Sequence, residues 1–331
     1  MTDKILMVHG SGGEATGELI REVFGRAFGY DPSAPLEDAA VVEGAAGLAV
    51  TTDSFVVTPL IFAGGDIGRL SVCGTVNDLL MRGARPAYLT AGFILEEGLS
   101  VEVLSQVAAS MAETAREAGI RIVTGDTKVV EGRGGLYINT AGIGLIDAGE
   151  ALPSAAGARE GDVIIVSGTL GDHHAAILGE RLGIRTASRS DNAPLTDMVG
   201  RLKAAGIACH ALRDITRGGL ATVLKELAEA SAKTFVIREE AVPVTPAVRD
   251  FCGLMGLDPL YMGNEGKLAA VVAAEEADRA LALIRASRYG QDAAIIGEVR
   301  GGEPGTLLLT TAIGGLRRLD ILQGEGLPRI C

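Results

Sequence analysis

The chain has 331 residues, of which 47% are hydrophobic, and its formal net charge is −12 at pH 7. This length predicts two domains, and the acidic balance argues against a nucleic-acid partner, because phosphate backbones bind to basic surfaces. No apolar run reaches the roughly 18 residues that a membrane-spanning helix needs, and the N-terminus lacks a secretory signal pattern. The four cysteines show neither zinc-ligand nor disulfide spacing. We therefore expect a cytoplasmic protein with no membrane span.

The first half of the chain alternates glycine-rich turns with apolar segments. A glycine loop at 9–13 precedes a helical pattern at 19–28. Two further helices are predicted, one that stops before Gly83 and one that is capped by Ser100 and closed by Gly119. The predicted elements after the first helix are strands 39–42 and 48–57, helix 67–80, strand 88–95, helix 101–118, and strands 120–124 and 136–146. This order predicts helices on one face of a mixed sheet.

The second half begins after a hinge-like stretch at 153–161 and alternates strands with helices. The predicted strands are 162–167, 234–237, 267–272, 293–299 and 306–309, and the predicted helices are 173–182, 195–205, 220–230 and 275–287. Such alternation is typical of an α/β domain. The last eleven residues contain Gly324, Gly326 and Pro328 and are interpreted as a tail, which would reach about 35 Å if extended.

Acidic residues recur beside glycines or at predicted strand ends. They are Asp38, Asp53, Asp78, Asp126 and Asp214. Mg²⁺ on a triphosphate takes oxygen ligands from one or two carboxylates together with the phosphates, so several of these side chains are candidate ligands. Each of them alone is more often a helix cap or a turn former. The loop at 10–13 could offer amide groups to a phosphate, although a plain flexible loop fits equally well and no Walker A pattern follows.

Eight segments spread along the chain resemble one known family. They are 51–57, 64–68, 73–78, 92–98, 168–173, the segment 123–130 with Gly125-Asp126-Thr127-Lys128, Asn264-Glu265-Gly266-Lys267, and the terminal Pro328-Arg329-Ile330-Cys331. With them the chain resembles the HypE family of hydrogenase maturation factors, in the superfamily of aminoimidazole ribonucleotide synthetase and selenophosphate synthetase. The resemblance runs from 9 to 331. The terminal Pro-Arg-Ile-Cys is its most specific element, because relatives elsewhere in the superfamily lack it.

The resemblance implies a two-domain synthetase fold of the α/β (α+β) class. An N-terminal mixed sheet has helices on one face, and a C-terminal α/β domain follows it. The expected divisions are a glycine-rich loop and helix at 1–36, an ATP-binding and dimerisation domain at 37–150, an α/β domain at 159–312, and a flexible tail at 321–331. The first domain is expected to pair with its copy in a homodimer, with ATP bound along the interface.

The resemblance also implies a reaction. A HypF-type carbamoyltransferase would load a carbamoyl group onto the sulfur of Cys331. The enzyme would then use ATP to phosphorylate the carbamoyl oxygen and eliminate phosphate, which leaves a thiocyanate. A HypC–HypD complex would receive the cyanide for the iron of a [NiFe]-hydrogenase. An unperturbed cysteine has a pKa of about 8.5, and Arg329 offers some electrostatic help to the Cys331 thiolate.

Particular residues follow from the same resemblance. Lys128 would act as a cation or as a base, and Glu265 would take a proton from the carbamoyl nitrogen; which of the two is the base stays open. The expected nucleotide contacts are His9, Gly12, Asp53, Asn77, Gly125, Asp126, Thr127 and Arg217. The expected Mg²⁺ ligands are Asp38, Asp78 and Asp214.

Two alternative functions are weighed against this one. A selenophosphate synthetase would place a reactive thiol or selenol in the N-terminal glycine loop, where this chain has none, and an aminoimidazole ribonucleotide synthetase would not need Cys331. From a different class, the chain could be a non-catalytic carrier that presents Cys331 to partners. ATP hydrolysis separates the enzyme from the carrier.

Overall fold

The computed structural model describes most of the chain. The described residues are 47–322, the backbone of 40–42, and Glu14, Gly17 and Glu18, which are helical. Predictions that lie outside the described residues are the helix at 19–28, the tail beyond Leu322, and the site residues His9, Gly12, Asp38 and Cys331.

The described residues form two sheets, a short hairpin and seven α-helices. The strands are β1 (Ala40–Val42), β2 (Leu48–Phe55), β3 (Ile61–Phe62), β4 (Gly65–Asp66), β5 (Arg85–Glu96), β6 (Arg121–Val130), β7 (Leu136–Leu145), β8 (Val163–Val166), β9 (Cys209–Asp214), β10 (Thr234–Arg238), β11 (Leu268–Val272), β12 (Ala294–Arg300), β13 (Thr306–Thr310) and β14 (Leu316–Leu319). The helices are α1 (Ile67–Met81), α2 (Val101–Ala118), α3 (Asp172–Leu182), α4 (Thr196–Ala204), α5 (Gly219–Ser231), α6 (Pro246–Met255) and α7 (Ala277–Arg285).

The first sheet has the order β1-β2-β7-β5-β6 and is mixed, because β5 and β6 are parallel and the other pairs are antiparallel. Helix α1 packs against β2, β5 and β7 and is buried along almost its whole length. Asp66 begins α1 by accepting a hydrogen bond from the Arg69 amide. As predicted, Ser100 caps α2 and Gly119 closes it in the left-handed conformation. The predicted mixed sheet is therefore confirmed.

The second sheet has the order β14-β13-β10-β12-β8-β11-β9. Every residue of β11, which lies between β8 and β9, is buried, and this explains its continuous apolar sequence. One hydrophobic cluster contains side chains of both halves, for example Leu70 and Val76 of α1 with Leu268 of β11 and Ile284 of α7. The two halves therefore share a packed core, which holds α1 against β9.

The structure differs from the sequence-based prediction chiefly in six elements. Strand β6 was predicted to end at 124 but continues to Val130, and β3, β4, β9, α6 and β14 were not predicted. The extension of β6 passes through Gly125, where an added Cβ would lie 2.4 Å from the Ala91 carbonyl oxygen. The glycine permits a close backbone approach there rather than a turn. Within the described part of the chain, no helix is both long and apolar enough to cross a membrane.

Candidate active site

Three carboxyl groups and one guanidinium from both halves of the chain form an acidic cluster, which consists of Asp53, Asp214, Glu265 and Arg217. Asp214 ends β9 opposite Leu268 of β11, and Glu265 lies in the turn that leads into β11. Asp53 belongs to β2 and lies against α1, since a Cβ added at Gly74 would be 3.5 Å from its Oδ2. The shared core therefore places these acidic side chains in one region.

The cluster holds its protons more tightly than exposed acids do. Burial raises the pKa of Glu265 well above its usual value, and the nearby charges of Asp53 and Asp214 raise it further while Arg217 opposes them. Burial likewise raises the pKa of Asp214 to about 6, with Asp53 contributing. The pKa of Asp53 is also raised by burial, against the lowering effect of Arg217. A carboxyl group with such a pKa can accept a proton near neutral pH, which is the property of a general base.

The loop that precedes α5 contributes the cluster's positive charge. Gly218 and Gly219 both have left-handed backbone conformations, with φ of +83° and +67°, and a Cβ at Gly219 would lie 2.5 Å from the Leu260 carbonyl oxygen. These two positions therefore require glycine. The tight turn brings Arg217 close enough to act on the acidic residues electrostatically.

Two of the predicted residues on α1 have specific partners. Asp78, a predicted metal ligand, accepts a hydrogen bond from Thr51 Oγ1 at 2.8 Å. The Asn77 amide, a predicted nucleotide contact, donates to the Ala193 carbonyl at 3.1 Å and accepts from the Leu195 amide at 2.9 Å. In this structure Asn77 therefore joins α1 to the second half of the chain.

The predicted metal ligands do not form a complete site by themselves. Among the described residues, no three Asp, Glu, His or Cys side chains converge closely enough to hold a metal ion, and Asp38 lies outside those residues. The nearby charge of Asp53 nevertheless raises the pKa of the buried Asp214 further. Such an excess of buried negative charge fits a divalent cation with oxygen ligands.

The remaining predicted residues lie on β6, where every residue is exposed. Lys128 Nζ is 2.8 Å from Asp126 Oδ2, and the two side chains are 69% and 72% exposed. The hydrogen bond from Lys128 lowers the pKa of Asp126. Gly125 and Thr127 are exposed on the same strand. The structure thus groups Gly125, Asp126, Thr127 and Lys128, but in the part of the chain that it describes Lys128 pairs with Asp126 and not with Glu265.

Two residues beside Glu265, Asp191 and Lys267, have no role in the sequence-based prediction. Asp191 accepts a hydrogen bond from the Glu265 amide at 3.0 Å, and its other carboxylate oxygen is 3.2 Å from Lys267 Nζ. Lys267 has a local sequence signal, because it is a charged residue directly before the apolar run of β11. Asp191 had no such signal, because it contacts a residue 74 positions away along the chain.

Models of one protein family match most of the chain. The model of the AIR synthase related protein N-terminal domain matches residues 36–146, and the model of the AIR synthase related protein C-terminal domain matches residues 159–309. Known proteins also resemble this chain over nearly its whole length. Carbamoyl dehydratase HypE of Rhodobacter capsulatus is 48% identical over 337 residues, which cover 99% of this chain and 98% of the relative.

Two solved structures extend this similarity. A crystal structure of hydrogenase maturation protein HypE in complex with ATP is 47% identical, with a TM-score of 0.83, and the match covers 99% of this chain and 100% of that chain. A crystal structure of a HypE–HypF complex contains a chain that is 45% identical, with a TM-score of 0.86 and coverage of 92% of this chain and 99% of that chain.

Proposed function

The chain belongs to the HypE family of carbamoyl dehydratases, within the AIR synthase related proteins, and we propose that it uses ATP to dehydrate an S-carbamoyl group on its own Cys331. The product would be a thiocyanate that supplies cyanide for the iron of a [NiFe]-hydrogenase. The single observation that carries the catalytic part of this proposal is the buried Glu265, whose pKa is raised well above its usual value. A protein that only presents a thiol to partners has no use for a buried base in an acidic cluster.

The proposed reaction removes the elements of water from a thiocarbamate. An amide oxygen is a poor leaving group, so the carbamoyl oxygen first attacks the γ-phosphorus of ATP and ADP departs. The C–O bond then breaks with loss of phosphate as both N–H protons leave the nitrogen, which gives S–C≡N. Glu265 suits the removal of an N–H proton because burial keeps its conjugate acid stable near neutral pH. Lys128 would supply positive charge to the phosphoryl group, since phosphoryl transfer depends mainly on positioning and charge neutralisation.

ATP is supported by the relative that was solved with ATP and covers 99% of this chain. We propose that the nucleotide contacts Asp53, Arg217 and the β6 residues, together with His9 and Gly12. Asp38, Asp78 and Asp214 would hold Mg²⁺, which neutralises charge on the triphosphate. The fit rests on Asp214, a buried oxygen donor at the end of β9 whose pKa burial raises to about 6, with the charge of Asp53 adding to it.

A homodimer would cover the exposed strand β6. In the part of the chain that the structure describes, β6 is the terminal strand of its sheet, and it exposes Val123 by 52% and Val129 by 69%. A long exposed edge with apolar side chains is a surface that proteins normally cover. We propose that a second copy covers it and thereby completes the nucleotide site around Lys128. The expected 37–150 and 159–312 domain divisions belong to the same proposal.

The proposed partners are a HypF-type carbamoyltransferase, which loads Cys331, and a HypC–HypD complex, which accepts the cyanide. The first is supported by the HypE–HypF complex, whose HypE chain is 45% identical to this one. The other three thiols, which lie in the described part of the chain, are poorly suited to carry the carbamoyl group. Cys73 and Cys252 are buried, and burial raises the pKa of Cys209 to about 12 and that of Cys252 to about 11, which suppresses the reactive thiolate.

The test follows the mass of the C-terminal peptide. With a HypF-type carbamoyltransferase, carbamoyl phosphate and ATP, that peptide should first gain a carbamoyl group and then lose the equivalent of one water as ATP is consumed. Cys331→Ala should abolish both mass changes and leave ATP binding within about twofold, because the thiol carries the substrate and does not bind the nucleotide. Cys209→Ala is the matched control and should retain both changes. A carbamoyl group found on Cys73, Cys209 or Cys252 would refute the proposal, and loading without ATP-dependent loss of water would identify a carrier.

A further inference from the structure

We propose that Asp191 is a positioning residue for Glu265, an inference that rests on the function proposed above. The Asp191 side chain is 5% exposed. Its Oδ1 accepts a hydrogen bond from the Glu265 backbone amide at 3.0 Å, and its Oδ2 is 3.2 Å from Lys267 Nζ. The carboxylate therefore contacts the backbone of the base directly and the side chain of the residue two positions later.

The chain on either side of Glu265 is held by the same neighbours. The Ala193 amide donates to the Glu265 carbonyl at 3.4 Å. At Gly266, an added Cβ would lie only 2.0 Å from the Asp191 carbonyl oxygen, so only glycine permits this close approach. Residues 191–193 therefore hold the peptide units before and after the Glu265 side chain, and they fix the point from which that side chain projects.

Residues 191–195, which we call the 191–195 segment, are in turn anchored to α1. Arg69 Nε donates to the Asn192 carbonyl at 2.9 Å. Asn77 contacts both the Ala193 carbonyl and the Leu195 amide. Since α1 also carries Asp78, the 191–195 segment links the proposed base to the helix that carries a proposed metal ligand. Among the described residues of the segment, Asp191 is the one whose side chain forms a hydrogen bond with the Glu265 backbone.

This geometry distinguishes positioning from simple stabilisation. Removing one partner of a buried ion pair such as Asp191–Lys267 destabilises the fold and would lower every activity together, whereas a displacement of about 1 Å in a catalytic group slows the step that this group serves, by about 10²-fold. Loss of the Asp191 carboxylate removes the acceptor of the Glu265 amide, so we expect the dehydration step to suffer far more than nucleotide binding.

The experiment uses the full chain, with Cys331 loaded by a HypF-type carbamoyltransferase and carbamoyl phosphate before ATP is added. Two quantities are measured: the single-turnover rate of water loss from the C-terminal peptide, and the dissociation constant for ATP by calorimetry. Asp191→Ala should slow water loss by about 10²-fold and change the ATP dissociation constant by less than about threefold. Asp191→Asn keeps an oxygen that can accept from the Glu265 amide and should recover most of the rate.

The matched control is Asp162→Asn, which alters another buried carboxylate, one that accepts from the Arg159 amide at 2.7 Å and lies 2.8 Å from His210 Nδ1. If Asp191→Ala does not fold, Gly266→Ala replaces it, because the added Cβ disturbs the contact between residues 265–266 and Asp191. This variant should also slow water loss more than it weakens ATP binding. Equal losses in Asp191→Ala and Asp162→Asn would overturn the inference, as would an Asp191→Asn variant as slow as Asp191→Ala. A wild-type chain that does not lose water refutes the proposed function itself and is recognised without any variant.

Discussion

The acidic cluster around Glu265 and the strand β6 that carries Lys128 differ in almost every physical respect. Glu265 is 4% exposed and its backbone is held by hydrogen bonds from within one chain, whereas Lys128 is 69% exposed on the terminal strand of its sheet. Burial raises the pKa of Glu265, while an exposed partner, Lys128, lowers the pKa of Asp126. One chain therefore fixes the position of Glu265, the proposed base, whereas Lys128, the proposed cation, is still surrounded by water.

This difference indicates how the proposed reaction would depend on a chain and on its copy in the proposed dimer. A buried carboxylate acts only in a geometry that the folded chain has already fixed, because moving it costs the contacts of the shared core. An exposed lysine gains catalytic strength only when water is excluded around it. The proposed dimer would provide that exclusion at β6. The two regions should therefore respond differently to mutation, the first through chemistry and the second through assembly.

The largest expected effect is the loss of dehydration activity when the buried Glu265 is changed. Glu265→Gln keeps the size of the side chain but cannot accept the carbamoyl proton, so water loss from carbamoylated Cys331 should slow by about 10²- to 10⁴-fold. Loading of the carbamoyl group should continue, and the carbamoylated peptide should accumulate in a mass spectrum. Glu226→Gln is the matched control. Glu226 lies on α5, 3.3 Å from Arg213 of β9, and burial raises its pKa too. Water loss at the wild-type rate in Glu265→Gln would assign the base elsewhere.

The next largest effect is expected on dimer formation through the exposed strand β6. Wild-type protein should sediment at micromolar concentration with twice the 34.0 kDa mass of the chain. Val129→Asp places a charge on β6, and burying an unpaired carboxylate costs a few kcal/mol, so the dissociation constant of the dimer should rise about 10²-fold. Ile313→Asp changes an even more exposed apolar residue, at 96% exposure on the β13–β14 turn, and should leave the dimer intact.

A strictly monomeric wild type would refute the proposed covering of β6. A dimer that survives Val129→Asp but dissociates in Ile313→Asp would place the interface on the second sheet instead. In either case the proposed role of Lys128 would need a different source of water exclusion.

The sequence predicts the elements whose signals are local. Ser100 and Gly119 mark the ends of α2 in both the sequence and the structure, because caps depend on a few neighbouring residues. Helix α6 had a readable signal too, since Thr245 is its N-cap and Pro246 its first residue. Strand β9 had none, because its polar residues His210 and Arg213 form a strand only through pairing with β11.

The residues of the candidate site also differ in whether the local sequence predicts them. Glu265, Asp214 and Arg217 could be chosen from short motifs, and the structure does group them. Asp191 could not, because its contact with Glu265 joins residues 74 positions apart. The separation of Lys128 from Glu265 was also unpredictable, since a motif names residues and does not say whether one chain brings them together.

The smallest expected effect concerns stability and its dependence on pH. Asp214 is buried with a pKa of about 6, above its ordinary value of 3.8, so the folded chain binds this proton more tightly than the unfolded chain does. As pH rises from about 4 to about 6, stability of the metal-free and nucleotide-free protein should fall, by about 3 kcal/mol for this group.

Asp214→Asn removes that penalty. Its free energy of unfolding should therefore exceed that of the wild type by up to about 3 kcal/mol at pH 8 and match it near pH 4, as measured by urea unfolding in a chelator. The control is Asp126→Asn on the exposed β6, where Lys128 lowers the carboxyl pKa. That variant should show a small difference of opposite sign, because water screens the pair. A buried-site variant that is less stable than the wild type at pH 8 would mean that the cluster is already neutralised within the chain. The contrast between a buried site in need of a cation and an exposed strand in need of a partner would then lose its electrostatic basis.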